Sequence, residues 1–301
     1  GIRPGDWIVE VDGEDVSGAS VSEVVTLLRG EAGTEVEMGV RRAGGEGILR
    51  KTIDRRILHI SSIRDVERME GEIGYVSVGV FGKKTADELA AAISGLLADG
   101  AKSLIIDVRN NPGGLLTTAQ EVVELFVPAG VEFLTVQGRD NRVEERFFTA
   151  RPSVVPEEIP IVILQNRLSA SAAEIFAGVL QSMGRATVVG ETSHGKGSVQ
   201  SVYQFEGGDG LSMTTARYIL PSGEAIEGVG LKPDEKVELN EQDILRLSIQ
   251  ENHDLGLSEE EFEEKFGFAP VEDKTLNRAI EILRGEEAAA SPNGKTPSDA
   301  T

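Results

Sequence analysis

The chain has 301 residues, 40% of them hydrophobic, and carries a formal net charge of −21 with no cysteine. That length allows about two domains, and the acidic balance argues against nucleic acid, or an anionic membrane surface, as a partner bound through a basic patch. A disulfide framework, thiolate catalysis and a cysteine metal site are excluded, and His59, His194 and His253 show no His-x-x-x-His ligand spacing, so no metal or other cofactor is expected.

No apolar run approaches the roughly 18 residues of a membrane span, and no signal peptide is seen. The chain begins with Gly rather than Met and reads as a fragment or processed form; a membrane anchor or targeting segment is expected in the missing N-terminus. Residues 1–57 read as a small β-rich unit. An apolar strand spans residues 7–11 and closes at Asp12-Gly13. A helix is predicted over residues 20–28, with Val21, Val24, Val25 and Leu28 on one face. An alternating strand follows over residues 34–40. With its Arg-Pro-Gly-Asp and Leu-Arg-Gly signatures, this unit resembles the later two-thirds of a PDZ domain. Its groove-lining helix is present, but the loop and strand that bind a peptide C-terminus by strand addition are not. Much of the helix face reads equally well as plain core.

Residues 57–70 read as a linker with some strand character. A strand over residues 73–80 opens the core. Thr85-Ala-Asp-Glu88 reads as a capping box that starts an amphipathic helix with Leu89, Ile93, Leu96 and Leu97 on one face, ended by Gly100. The run 104–108 is a buried strand leading into Asn-Asn-Pro-Gly-Gly, then a helix over residues 118–127. Paired glycines after a strand can turn backbone N–H groups toward an oxyanion; they also fit an ordinary Pro-Gly turn. Residues 134–137 and 146–149 look like a strand pair that overhangs a site.

The apolar run 161–164 ends in a short turn, and a helical pattern follows through Ile175, Val179 and Leu180. Ser171 lies in the first turn of that helix, near the positive end of its dipole, as a candidate nucleophile. Ser171-Ala-Ala-Glu174 is also a capping box, so Ser171 reads as cap or nucleophile and Glu174 as cap or polar neighbour, the cap being the simpler role for Glu174. Some twenty-five residues on, Lys196 stands between Gly195 and Gly197, where the backbone can approach another element closely. A lysine tucked into the interior there loses its proton easily, since burial disfavours the charged form. To serve as a base near neutral pH it must fall from about 10.4 to roughly 7–8, about 3–5 kcal/mol of differential solvation. A neutral Lys196 can take the Ser171 proton during attack on a carbonyl. An exposed or anion-binding lysine is the plain alternative. Residues 211–218 alternate and end at a Pro-Ser-Gly turn. After Leu239 the chain turns to short helical patterns at residues 257–261 and 275–283, with acidic solvated faces. From Glu286 it is Ala/Ser/Pro/Gly-rich and expected to be disordered. Strands alternating with helices give an α/β core.

Asn-Asn-Pro-Gly-Gly, Ser-Ala-Ser-Ala-Ala-Glu-Ile, Gly-Lys-Gly-Ser-Val-Gln, Pro-Ser-Gly and Gly-Leu-Lys-Pro-Asp occur in that order. Over residues 1 to about 240 the chain thereby resembles the carboxyl-terminal processing peptidases, or tail-specific proteases. The resemblance implies a crotonase/ClpP-like α/β protease core over residues 58–240, preceded by the partial PDZ-like domain over residues 1–57. A helical extension over 241–285 and a disordered tail over 286–301 complete the expected organisation. It implies Ser171 as nucleophile, Lys196 as general base, Gln200 as support for the lysine, and Gly114 and Ala172 as oxyanion N–H donors. It also implies cleavage of protein or peptide substrates with accessible C-termini, in an extracytoplasmic location such as a bacterial envelope or plastid lumen. The family often carries an aromatic two residues before the lysine; here that position is His194, a rival base with no acidic residue clearly placed to orient it. Two other classes remain. One is a PDZ-bearing binding protein on an inactive protease fold, against which the joint presence of Ser171, Lys196 and Gln200 argues. The other is a crotonase-type acyl-group enzyme, against which the Ser–Lys pair and the PDZ-like unit argue.

Overall fold

The computed structural model describes residues 2, 6–42, 47–57, 61–205, 209–252 and 258–285. The Arg-Pro-Gly of the first signature, His59, His253, Leu257 and the tail from Glu286 lie outside them. The chain divides into two compact units, Gly1–Ile60 and Ser61–Thr301.

In the first unit, β1 (Trp7–Val11), β2 (Glu14–Asp15), β3 (Glu35–Arg41) and β4 (Leu49–Asp54) form an antiparallel sheet in the order β2-β1-β3-β4, with α1 (Val21–Leu28) between β2 and β3 in the chain. Ser20 caps α1: its Oγ accepts from the Glu23 N–H at 3.3 Å, and Glu23 Oε2 accepts from the Ser20 N–H at 2.8 Å. Val24 and Leu28 pack against the buried Val11, Val16 and Val36. Val21, expected on the same face, is 82% exposed. Strand β4 has no apolar alternation and is exposed along its length, which is why periodicity does not reveal it.

The second unit is built on a six-stranded sheet of β5 (Ile63–Met69), β6 (Ile73–Val78), β7 (Ser103–Asp107), β10 (Ile161–Gln165), β11 (Thr187–Gly190) and β14 (Glu235–Lys236), ordered β14-β11-β10-β7-β6-β5. Neighbours are parallel except β5, which joins β6 antiparallel. Leu104, Ile106, Ile161, Ile163 and Val188 face α2 (Thr85–Ala98), α3 (Leu116–Val123) and α4 (Ala172–Ser182) in the main core. Ile105, Val162, Leu164 and Val189 face the other way, against Leu276, Ala279, Ile280 and Leu283 of α7 (Lys274–Arg284). Covering both faces explains the continuous apolar runs of β7 and β10. Strands β8 (Glu132–Gln137), β9 (Val143–Phe148), β12 (Ser198–Gln204) and β13 (Gly210–Ile219) make a second sheet ordered β12-β13-β8-β9. The expected β8–β9 pair is present, with Thr135 opposite Arg146. After β14 come α5 (Glu241–Asn252), α6 (Glu259–Phe266) and α7. Among the described residues no helix is long and apolar enough to cross a membrane.

The capping box expected at Thr85 is overturned. The cap position is Lys84, and Thr85 is fully buried as the first helical residue. Its hydroxyl accepts from the Gly82 N–H at 2.8 Å and lies 2.6 Å from Ser62 Oγ, while Glu88 accepts from the Ser62 N–H at 2.7 Å. Both residues therefore bind the segment entering β5 rather than their own helix. Thr85→Val keeps the volume but strips the Gly82 N–H of its acceptor. It is expected to cost about 1–3 kcal/mol, read as a lower urea midpoint; an unchanged midpoint would mean that the hydroxyl does no bridging.

Candidate active site

Three loops at the C-terminal ends of parallel strands converge. The loop after β7 carries residues 108–114, the turn after β10 carries Ser171, and the loop after β11 carries Lys196. Ligand sites of open α/β sheets form at such strand ends.

Ser171 is the N-cap of α4, with φ 56° and ψ −117°. A positive φ at serine is strained by roughly 1–3 kcal/mol and persists only where neighbours enforce it. The neighbours are identifiable. Ala170 N–H donates to the Asn111 carbonyl at 2.9 Å, and Ser169 Oγ donates to the Val108 carbonyl at 2.8 Å. Asn166 pairs twice with Asn110, accepting from its N–H at 3.0 Å and donating to its Oδ1 at 2.9 Å. The first Asn of the Asn-Asn motif therefore ties the β7 loop to the β10 turn. The second, Asn111, is fully buried; it donates to the Val78 carbonyl and accepts from the Gly113 N–H.

Gly113 (φ 92°) lies against the nucleophile turn. A Cβ there would fall 2.5 Å from the Ala170 carbonyl oxygen and 2.8 Å from Ser171 Cβ. Only glycine permits that approach. Next to it, the Phe81 N–H donates to the Gly113 carbonyl and the Leu115 N–H to the Phe81 carbonyl, which fixes Gly114 between them. Ala172 opens α4, so its N–H is one of the first-turn donors without an intrahelical acceptor. Ala172 therefore follows Ser171 directly, and Gly114, next to the Gly113 that touches Ser171, lies against the Phe81 backbone.

The Lys196 loop is fastened by its backbone. His194 N–H donates to the Ser169 carbonyl at 3.0 Å, and Gly197 N–H to Glu227 Oε2 at 2.7 Å. A Cβ on Gly197 would meet the Glu227 nitrogen at 2.7 Å, so the close approach expected of these glycines is present. The expected burial of the lysine is not. Lys196 is an exposed residue, because the buried Gly195 and Gly197 carry the packing and its side chain leaves the loop toward solvent. No hydrogen bond joins Ser171 Oγ to Lys196 Nζ among the described residues. Gln200, on β12, is exposed and accepts from Ser212 Oγ across the ladder at 3.0 Å. His194 is also exposed and contributes only its backbone.

What joins nucleophile and lysine is Glu174, which is fully buried. Its Oε2 accepts from the N–H of Ser171 at 2.7 Å and of Lys196 at 2.8 Å. Its Oε1 accepts from the N–H of Gly195 at 2.7 Å and from Ser193 Oγ at 2.5 Å. Ser193 Oγ accepts in turn from the Leu231 N–H. Glu174 is thus both of the things its sequence position allows, a cap and a polar neighbour. Ser193 carries no sequence signal, since a lone serine in a loop has none. Among the described residues no cluster of His, Cys, Asp and Glu has the arrangement of a metal site.

Residues 72–237 match peptidase family S41, and residues 1–42 match the PDZ domain family. A carboxy-terminal-processing protease of Bartonella bacilliformis is 36% identical over 304 residues, covering 95% of this chain and 68% of that protein. The carboxy-terminal processing protease CtpA of Bacillus subtilis is 36% identical over 239 residues, covering 79% of this chain and 50% of its own length. Among solved structures, a photosystem II D1 C-terminal processing protease is similar with a TM-score of 0.55 and 30% identity, over 79% of this chain and 64% of that one. The chain thus spans between half and about two-thirds of these relatives.

Proposed function

The chain belongs to peptidase family S41, and on that premise we propose that it is a serine endopeptidase that cleaves protein substrates near their C-termini. Ser171 Oγ attacks the scissile carbonyl carbon. Lys196 Nζ takes the hydroxyl proton and returns it to the departing amine. Gly114 and Ala172 N–H groups stabilise the tetrahedral oxyanion, and Gln200 supports the lysine. Water then releases the acyl group by the same route. The observation that carries this reading is the strained Ser171, held at a helix N-terminus between the Gly113 loop and the Lys196 loop. The same reading assigns residues 58–240 to the protease core and 241–285 to a helical extension. It makes residues 1–57 a PDZ unit that presents or gates the substrate tail, and it places the protein outside the cytoplasm.

One observation favours a second reading, a PDZ-bearing binding protein on an inactive protease fold: Lys196 is exposed and not bonded to Ser171. A serine-directed acylating probe separates the two. The peptidase is expected to gain one adduct, mapped by mass spectrometry to Ser171, and to cleave an unfolded protein with an apolar C-terminal tail. Absence of both, in a folded sample, would favour the binding protein.

A further inference from the structure

The oxyanion loop has an anchor beyond the residues that match the peptidase family, in helix α7. Asp107 ends β7 on the sheet face that α7 covers. Its Oδ1 accepts from the Arg109 N–H at 2.8 Å, and its Oδ2 accepts from Arg109 Nη2 at 2.6 Å and from the Tyr75 hydroxyl at 2.8 Å. Arg109 is folded back on the strand end and is only 8% exposed. Its Nη1 donates to Asp273 Oδ2 at 2.7 Å, across 164 positions of sequence. Burial by itself lowers the guanidinium pKa; the charges of Asp107 and Asp273 outweigh it and raise that pKa well above its usual value.

Asp273 has two roles. It is the N-cap of α7, its Oδ1 accepting from the Leu276 N–H at 3.0 Å, and it is the outer partner of Arg109. Helix α7 is itself fixed by Leu276, Ala279, Ile280 and Leu283 against β7, β10 and β11. Arg109 immediately precedes Asn110 and Asn111, whose bonds tie this loop to the Ser171 turn and hold Gly113 against Ser171. Removing the Asp273 carboxylate leaves the buried guanidinium paired with Asp107 but takes from Nη1 the acceptor it meets at 2.7 Å, a loss the backbone carrying Arg109 is expected to answer by shifting.

We infer that Asp273 is a positioning residue for the oxyanion loop, acting through Arg109, so that the C-terminal helix is part of the catalytic apparatus. The inference rests on the peptidase reading above. Its test exploits the double role. Asp273→Ser keeps a good helix cap but is too short to reach Arg109; Asp273→Ala loses both; Asp273→Glu keeps the charge. With rates normalised to the fraction of Ser171 acylated by the probe, Asp273→Ser is expected to lower kcat by between about tenfold and a hundredfold while KM holds within about twofold. Asp273→Glu should recover part of that loss. Hydrogen exchange at residues 108–116 should quicken in Asp273→Ser but not in β12–β13. An Asp273→Ser protein with parental kcat and parental exchange would overturn the inference, as would a loss confined to Tm. If the parent chain neither cleaves nor is labelled, the peptidase reading fails, and the exchange comparison still decides whether Asp273 holds the loop.

Discussion

Ser171→Ala and Lys196→Ala are each expected to reduce cleavage of an unfolded protein by about ten-thousandfold or more, the double variant to be no worse than either, and His194→Ala to stay within a few fold of the parent. The non-additivity follows from the chemistry. A hydroxyl without a base and a base without a hydroxyl both leave only binding and the oxyanion donors at work. For the proposed nucleophile, the structure supplies a half-buried position at a strained turn, a helix N-terminus and a close approach by the Gly113 loop. For the base, it supplies a loop fastened to the nucleophile's own turn, with the ammonium in solvent. In the proposed mechanism the desolvation a lysine base needs is expected to come from the substrate as it covers the site. Catalytic hydrogen bonds often close only in the complex, so the open Ser171–Lys196 geometry is compatible with that order of events. His194 is bonded to this turn only through its N–H, which alanine retains. A dead His194→Ala beside an active Lys196→Ala would transfer the base from the lysine to the histidine.

Much of the second unit is legible in the sequence because its strands are buried on both faces. Residues 104–106 and 161–164 read as unbroken apolar runs, and each leads to a loop whose composition is unusual for a mere connection. Helix α1 is legible from its apolar spacing, of which Val24 and Leu28 face the core. What the sequence hides has one physical origin, interactions that are distant along the chain. Strand β4 is exposed, and pairing with β3 is what makes it a strand. The sheet order β12-β13-β8-β9 sets the Lys196 loop at the start of an edge strand, and no local pattern announces that. Thr85 has the spacing of a cap and is instead buried against Ser62. Asp273 and Arg109 stand far apart in the chain and carry no shared motif. Flanking glycines suggest a buried lysine. The glycines are buried as expected, but burial of a backbone does not dictate burial of the side chain between them.

Glu174→Gln is expected to lower kcat by about a hundredfold or more and stability by about 2–4 kcal/mol, with Ser171 and Lys196 both present. An isolated carboxylate taken out of water costs several kcal/mol, so a fully buried one must be matched by donors. Here it meets three backbone N–H groups and one hydroxyl, and it lies at a helix N-terminus where negative charge is favoured. Glutamine has nearly the same shape but only one acceptor oxygen. Whichever way its amide turns, the NH2 faces donors that the carboxylate had satisfied. If it faces the Oε2 side, the amides of Ser171 and Lys196 are repelled together, and the turn at φ 56° loses the contact that holds it. If it faces the Oε1 side, Gly195 and Ser193 are released and the lysine loop loosens. Ser193→Ala removes one of the four donors to Glu174, along with the acceptor of the Leu231 N–H, and is expected to cost less in both measurements. Urea denaturation gives the stability, and the rate of Ser171 acylation by the probe gives the state of the nucleophile independently of the base. A Glu174→Gln protein that folds less stably yet acylates and turns over at parental rates would reduce Glu174 to a helix cap. Slowed acylation in the folded fraction would show that one buried carboxylate sets the register between nucleophile and base.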